Sequence, residues 1–329
     1  MALPTGDVIG ILADNLRLRG SVLPLSSGRA TRWTQGLGLA RGGETVLYTG
    51  QMYQLIPSIE GLVRAEQRLG DSPLARLTGV GRRINRFVNV SAFMARPSKR
   101  EREEYERVPR AVVQLLRDAG VEFGCLYEDD LYSGALAWDL GLDELVRGHA
   151  RRVHELFRKH GVRRVITIDP HTTNMLRSVY PRLVAGYDVE VKSYLEVLAG
   201  RNGHAAATDR GEVVLHDSCV FARYEDVVAE PRELLAGAGL TVLEPTHAGK
   251  LTWCCGGPAE SLYPEKALAT AQKRVAELRA VGPQAVTMCP LCLVNLTKAA
   301  EGTMSFRDIS EVLLEARAGA GAPTPTASV

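Results

Sequence analysis

Five of the six cysteines lie in the second half of the 329-residue chain, in a pattern that could bind metal or carry out redox chemistry. They are Cys219, the adjacent pair Cys254-Cys255, and the two ends of Cys289-Pro-Leu-Cys292. Each group falls at the predicted end of a strand. Because the carboxyl ends of neighbouring parallel strands converge on one crevice, we expect the five thiols to come together.

Three kinds of site use thiols in this arrangement. Thiolates select zinc, copper(I) or iron-sulfur clusters, but tetrahedral zinc takes four ligands and five are present here. Adjacent cysteines are poor ligands for one small ion, whereas a cluster is wider and offers several irons. Cys289-Pro-Leu-Cys292 alone would suit a thioredoxin-like dithiol, which leaves the other three cysteines without a role. The pattern favours a cluster, with zinc and a dithiol as alternatives.

Residues beside the cysteines suit a negatively charged cluster. Cys289 and Cys292 are predicted to open a helix, whose positive end stabilises thiolate. Gly256 and Gly257 allow backbone N–H groups to approach sulfur, and His216 is a candidate hydrogen-bond donor to the site.

The elements that position the cysteines alternate between short apolar runs and helical segments, which is typical of a parallel α/β sheet. In the second half the predicted strands are 212–219, 240–243 and 284–288. A helix start is marked by Glu230-Pro231, and a second helix from Pro264 is predicted to bury Leu268, Ala271, Val275 and Leu278.

The first half repeats this organisation without the cysteines. The segment 45–51 is similar to 213–219, and 167–176 is similar to 287–296, so we predict an internal duplication. The first copy has Gln51, Gly124, Asp169 and Thr172 at the cysteine positions. Cys125, Glu128, Asp129, Asp169 and His171 should lie beside its crevice, where structural roles for Cys125 and His171 are favoured over a role in substrate binding.

Composition argues against several classes of partner. The net charge of +2 gives no long-range attraction to nucleic acid or to an acidic membrane surface. No window approaches the ~18 apolar residues of a membrane span, and the start lacks the features of a secretory signal. We expect a cytoplasmic protein with reduced cysteines that is not an integral membrane protein.

The predicted organisation has four parts: an N-terminal arm at 1–40, a degenerate domain at 41–205, a cysteine-bearing domain at 206–317 and a disordered tail at 318–329. The first domain carries an insertion rich in both arginine and glutamate, predicted to form a solvated surface helix. Its arginines include Arg82, Arg83, Arg86, Arg96, Arg100 and Arg102.

The segment from Cys219 to Cys292 resembles the CCG cysteine-rich domain found in the B subunit of heterodisulfide reductase and in iron-sulfur subunits of glycolate, lactate and glycerol-3-phosphate dehydrogenases. Further similar segments are His216-Asp217 and Cys254-Cys-Gly-Gly257. The resemblance implies two pseudo-twofold related lobes with one 4Fe-4S cluster, noncubane in the heterodisulfide reductase branch, near the lobe interface. It assigns the ligands Cys219, Cys254, Cys255, Cys289 and Cys292.

The resemblance also implies an oxidoreductase subunit similar to the B subunit of heterodisulfide reductase, acting on a disulfide, thiol or sulfane sulfur. Its expected partners are a ferredoxin-like iron-sulfur subunit and a flavoprotein subunit, through which it could lie at a membrane surface. One alternative is an electron-transfer subunit of a flavin-dependent glycolate, lactate or glycerol-3-phosphate dehydrogenase. A second is a non-catalytic scaffold stabilised by zinc or a cluster.

Overall fold

A computed structural model describes residues 5–23, 25–69, 98–201, 210–257, 260 and 263–320. Two sheets organise these residues. The first sheet contains β1 (Ala40–Arg41), β2 (Thr45–Tyr48), β3 (Gly124–Cys125), β4 (Arg164–Thr167) and β5 (Glu190–Ser193). The second contains β6 (Glu212–Leu215), β7 (Thr241–Leu243), β8 (Gln284–Thr287) and β9 (Ser305–Asp308). We call the parts built on them the first lobe and the second lobe.

Helices connect the strands in both lobes. In the first lobe they are α1 (Thr5–Arg19), α2 (Ser27–Ala30), α3 (Met52–Leu69), α4 (Lys99–Asp118), α5 (Ala135–Asp139), α6 (Asp143–Lys159), α7 (Pro170–Asn174), α8 (Tyr180–Leu183) and α9 (Tyr194–Ala199). In the second they are α10 (Ala229–Gly237), α11 (Pro264–Arg279), α12 (Pro290–Ala300) and α13 (Ile309–Ala320). Single π-helical turns occupy Met175–Val179 and Phe221–Glu225.

The two sheets share one topology. Their strand orders are β1-β3-β2-β4-β5 and β7-β6-β8-β9, and every described strand pair is parallel. If β1 is left out, the order β3-β2-β4-β5 of the first sheet corresponds strand by strand to the order β7-β6-β8-β9 of the second. The predicted α/β architecture with parallel sheets is confirmed.

Burial explains the composition of the strands. After one exposed or half-exposed residue, β2, β4, β6 and β8 each have three consecutive buried residues. A strand of a parallel sheet is covered by helices on both faces, so its apolar residues run continuously rather than alternating.

A shared core joins the lobes. One hydrophobic cluster contains Leu47 and Ile166 of the first sheet together with Leu215 and Val286 of the second. Tyr53 of α3 donates a hydrogen bond to the buried Asp308 carboxylate of β9, at 2.5 Å.

Polar contacts between the lobes involve the second π-helical turn. Its buried Glu225 accepts hydrogen bonds from Asn174 Nδ2, at 2.7 Å, and from Ser178 Oγ, at 2.8 Å. The face of the first lobe that follows β4 is thereby fixed against the segment that follows Cys219.

The N-terminal segment packs on the first lobe. Leu12 and Leu16 of α1 are buried in a second core cluster, which also contains Val46 of β2 and Val153 of α6. None of the helices in the described residues is long and apolar enough to cross a membrane.

Two expectations are corrected. On α11 the buried stripe is Ala267, Ala271, Arg274, Val275 and Leu278. Leu268 is exposed because it lies at the edge of that stripe, about 75° from its centre. The final helix continues through Ala320, so residues 318–320 are helical and not part of the tail predicted to begin at residue 318.

Parts of other predictions fall outside the described residues. They are the tail residues 321–329 and four arginines of the insertion, namely Arg82, Arg83, Arg86 and Arg96. Arg100 and Arg102 belong to α4, whose start is a capping box between Ser98 and Glu101.

We predict that Tyr53→Phe lowers the free energy of unfolding by about 1 to 3 kcal/mol, because the buried Asp308 carboxylate loses a hydrogen-bond donor. Urea unfolding measures the change. Tyr224→Phe, at an exposed position, is the control and should have little effect. Equal effects of the two variants would show that the contact between Tyr53 and Asp308 does not stabilise the fold.

Candidate metal centre

The three cysteine groups are positioned by strand ends of the second lobe. Cys219 lies just beyond the end of β6, and Cys289 lies just beyond β8, at the N-cap position of α12. The pair Cys254-Cys255 follows β7 and a 3-10 turn at Gly249–Leu251. Because β7, β6 and β8 are adjacent and parallel, their carboxyl ends deliver all three groups to one edge of the sheet.

The five thiols lie close enough to shift one another's pKa values. Cys219 and Cys255 each act on Cys254, Cys292 acts on Cys255, and Cys289 acts on Cys292. Cys255, Cys289 and Cys292 are buried, whereas Cys219 and Cys254 are partly accessible. The thiol group therefore has a buried end and an accessible end.

Ionisation is concentrated on one sulfur. Hydrogen bonds from Cys219 and Cys255, with a further one from the backbone N–H of Gly256 at 3.3 Å, strongly lower the pKa of Cys254. Donating to Cys254 raises the pKa of Cys219 and of Cys255, and contact with Cys255 and Cys289 raises that of Cys292. Thiolates this close repel one another, so a bound cationic centre is needed for them to ionise together.

Asp217 ties the Cys219 loop to the Cys254 loop. Its carboxylate accepts a hydrogen bond from Gly249 N at 2.6 Å, and its carbonyl accepts one from Thr252 Oγ1 at 3.1 Å. Arg232 of α10 binds both carboxylate oxygens at 2.9 Å. This bidentate pairing fixes the orientation of a carboxylate that is itself buried.

Arg274 of α11 ties the same loops from beneath and is fully buried. Its Nε donates to His216 Nδ1 at 3.0 Å, and its Nη2 donates to Thr252 Oγ1 at 3.3 Å. Its Nη1 donates to the His247 carbonyl at 2.9 Å and to Glu277 at 2.6 Å. Four of the five guanidinium N–H donors are thus paired, and the pairing that a buried guanidinium needs leaves its neighbours little freedom to move.

Two glycines leave room beside the sulfurs. Gly256 has a φ of +79°, and a Cβ there would lie 2.4 Å from the Ala267 carbonyl oxygen. A Cβ on Gly257 would lie 3.3 Å from Cys255 Sγ and 3.1 Å from Leu291 Cβ. The backbone can follow this path against α11 and α12 because both residues lack a side chain.

The donor set suits a thiolate-bound cluster in its chemistry: five sulfurs from one sheet edge, a helix N-terminus at Cys289 and a backbone N–H directed at Cys254. In the part of the chain that the structure describes, no three or more His, Cys, Asp or Glu side chains are placed to hold a metal ion. The site therefore fits a cluster because its donors are thiols and because all five lie at the same sheet edge.

The first lobe fills the equivalent edge with polar side chains. At the Cys289 position, Asp169 caps α7 and accepts a hydrogen bond from Thr172 N at 2.9 Å. Thr172, at the Cys292 position, lies against Gly50, where a Cβ would be 2.2 Å from Thr172 Oγ1. Gln51, at the Cys219 position, donates to the Asp130 carbonyl at 2.6 Å.

The other residues expected beside this crevice have separate environments. Glu128 pairs with Arg41 at the surface, and Asp129 pairs with His160 and Lys159. Cys125 is buried in β3, where burial raises the pKa of its thiol to about 11, and none of the thiol contacts described above includes it.

Several buried polar groups of the first lobe have shifted pKa values or atoms without a hydrogen-bond partner in the described structure. Burial raises the pKa of Asp130 and of Asp169 to about 7 each, and negative charge on Asp169 also acts to raise the pKa of Asp130. Burial lowers the pKa of His171 to about 4, while the Cys254 thiolate acts to raise it. Neither ring nitrogen of His171, nor Asp169 Oδ2, has a hydrogen-bond partner in the described structure.

Comparison with known proteins identifies the second lobe. Residues 213–297 match the family CCG, described as the Cysteine-rich domain. The chain therefore contains a CCG cysteine-rich domain, and the resemblance predicted from the cysteine pattern is confirmed.

Three relatives are oxidoreductases or subunits of them. The chain is 31% identical over 233 residues to the EtfAB:quinone oxidoreductase of Syntrophomonas wolfei, which is 65% of this chain and 32% of that protein. It is 30% identical over 228 residues to the probable iron-sulfur-binding oxidoreductase FadF of Bacillus subtilis, covering 65% and 32%. It is 28% identical over 221 residues to the B subunit of the fumarate reductase (CoM/CoB) of Methanothermobacter marburgensis, covering 63% and 42%. The matches span about a third to two fifths of each relative's length.

Sequence reasoning missed the residues that hold the loops. Arg274 was not identified because a lone arginine in a helix ordinarily faces solvent. Its position on the stripe of Ala271, Val275 and Leu278 was the available signal. Asp130 had no comparable signal, since its partners Thr49 and Gly50 lie far away in the sequence.

We predict that Asp169→Asn stabilises the protein at high pH and changes stability little at low pH. With a folded pKa of about 7, against about 4 when unfolded, the wild-type residue favours folding below pH 4. That contribution is lost as the pH rises through 7. The variant should gain up to about 4 kcal/mol between pH 4 and 8, measured by urea unfolding at each pH.

The control is Asp118→Asn at an exposed position of α4, which should leave the pH dependence unchanged. A pH profile for Asp169→Asn that matches the wild type would show that Asp169 is not held protonated by burial.

Proposed function

We propose that Cys219, Cys254, Cys255, Cys289 and Cys292 hold one 4Fe-4S cluster in an oxidoreductase subunit similar to the B subunit of heterodisulfide reductase. Its substrate class is a disulfide, a thiol or a sulfane sulfur. The observation that carries the proposal is the delivery of all five thiols to one sheet edge, close enough to shift one another's pKa values. The CCG domain and the iron-sulfur relatives support the same cofactor.

The chain's own residues supply the binding and the electrostatics. Cys255, Cys289 and Cys292 bury one side of the site, and the fixed loops around Asp217 and Arg274 hold the sulfurs in place. A cluster bound there would exchange electrons one at a time. Partial exposure of Cys219 and Cys254 leaves one side open to a small sulfur substrate or a partner protein.

Disulfide reduction needs more than this chain. Splitting one S–S bond into two thiols consumes two electrons and two protons. The electrons must come from another redox protein, which we propose to be a ferredoxin-like iron-sulfur subunit supplied with electrons from a flavoprotein subunit.

Exposed apolar residues near the site support a protein partner. Six large hydrophobic side chains are exposed among the described residues, and Tyr224, Leu251, Trp253 and Tyr263 lie within ten positions of a site cysteine. Exposed apolar surface of this kind often marks an interaction site.

A second candidate function is electron transfer from a flavoprotein towards quinone. The relative named EtfAB:quinone oxidoreductase, at 31% identity, favours it. The relative from the CoM/CoB fumarate reductase, at 28% identity, favours the sulfur chemistry. In the second candidate the cluster passes electrons on and has no contact with a sulfur substrate.

We predict that Cys255→Ser abolishes iron retention after anaerobic purification, while Cys125→Ser retains about four irons per chain, as the wild type should. Cys255 lies close enough to Cys254 and Cys292 for both to shift its pKa, whereas Cys125 lies in the first sheet. Iron, sulfide and zinc analysis measures the outcome. Equal iron loss in both variants, or one zinc per chain in the wild type, would contradict the proposal.

A second prediction separates the two functions. Under the sulfur-substrate proposal, 2-mercaptoethanol changes the electron paramagnetic resonance signal of the cluster poised in a paramagnetic state, and the methyl thioether of the same compound does not. The thioether is the matched control because it has no thiol to ionise. Identical spectra with and without the thiol would instead support electron transfer towards quinone.

A further inference from the structure

His216 has a buried ring nitrogen with no partner, next to the cysteines. The side chain is 1% exposed and follows β6, three positions before Cys219. Its Nε2 makes no hydrogen bond in the described structure. A buried polar atom ordinarily has a partner, so an unpaired one next to a proposed cofactor site needs an explanation.

The hydrogen bond from Arg274 determines the tautomer of this ring. A guanidinium has only donors, so the contact of 3.0 Å between Arg274 Nε and His216 Nδ1 makes Nδ1 the acceptor. The proton of the neutral ring must then be on Nε2. A charged ring would carry a proton on Nδ1 as well and could not accept this hydrogen bond, so the ring is neutral.

His216 and Cys254 lie close enough for their charges to interact. Arg274 fixes both sides of this arrangement, because it also binds Thr252, two positions before Cys254. The unpaired N–H therefore belongs to a ring held firmly beside the sulfurs.

We propose that His216 donates its Nε2–H to a sulfur of the bound cluster, either Cys254 Sγ or a sulfide, in the tautomer that Arg274 imposes. The inference rests on the proposed cluster and adds to it a residue that sets the reduction potential. A hydrogen bond to sulfur stabilises the more negative, reduced state more than the oxidised state, so this donor raises the potential.

His171 is a less definite case. It is also buried near Cys254, but both of its nitrogens lack partners, so no contact selects its tautomer. The assignment of a donor is therefore made for His216.

Two substitutions separate the functions of the two ring nitrogens. In His216→Asn, the amide oxygen takes the place of Nδ1, so the contact with Arg274 is kept and the donor is removed. In His216→Gln, an amide N–H reaches the place of Nε2, so a donor is kept. His154→Asn, at a buried histidine on α6 of the first lobe, is the control.

The measurement is a redox titration of each anaerobically purified protein, with iron analysis of the same sample. We expect His216→Asn to retain iron and to lower the equilibrium constant for reduction about tenfold, which is about 59 mV for a one-electron couple. His216→Gln should recover most of this loss, and His154→Asn should match the wild type. An unchanged potential in iron-loaded His216→Asn would overturn the inference while leaving the cluster proposal intact.

A spectroscopic measurement on the wild type keeps the inference testable if His216→Asn loses iron. Pulsed electron paramagnetic resonance of the reduced, ¹⁵N-histidine-labelled protein should show coupling between the cluster and one ring nitrogen, with an exchangeable proton beside it. Absence of that coupling in an iron-loaded sample would overturn the inference. Absence of iron from the wild type would instead contradict the proposed function.

Discussion

The site depends on one buried charge. The guanidinium of Arg274 lies beneath the loops that carry Cys219 and Cys254, and its hydrogen bonds reach His216, Thr252 and the His247 carbonyl. A buried charge is tolerated only when it is fully paired, so removing any partner would carry a large cost. This requirement fixes two loops that otherwise have little regular structure. The positions of the cysteines on these two loops therefore depend on the pairing of Arg274.

The two lobes show how one topology supports different chemistry. In the second lobe the strand ends carry thiols. In the first lobe, Asp169 and Thr172 occupy the corresponding positions, and the Thr172 backbone N–H donates a hydrogen bond to the Asp169 carboxylate. Asp130 accepts hydrogen bonds from Thr49 and Gly50. A buried carboxyl with a pKa of about 7 is a poor substitute for a thiolate ligand. The first lobe instead contributes hydrogen bonds to Glu225 and apolar packing that support the second.

The sequence was sufficient to predict features with a local signal. Cysteines after apolar runs predicted the sheet edge where Cys219 and Cys289 lie, and the similarity of 45–51 to 213–219 predicted two parallel sheets. Features set by tertiary contacts were missed or misplaced. Leu268 was predicted to be buried because its apolarity suggested a core position, but the stripe on α11 includes Arg274. The partners that bury Arg274 come from two distant loops, which no local pattern reveals.

The most direct test of the proposed cluster is anomalous diffraction from crystals grown without oxygen, with data collected on both sides of the iron absorption edge. A cluster at this site predicts several adjacent iron peaks in bonding contact with the sulfurs of Cys219, Cys254, Cys255, Cys289 and Cys292. A single peak at the zinc edge, or iron located away from these sulfurs, would contradict it.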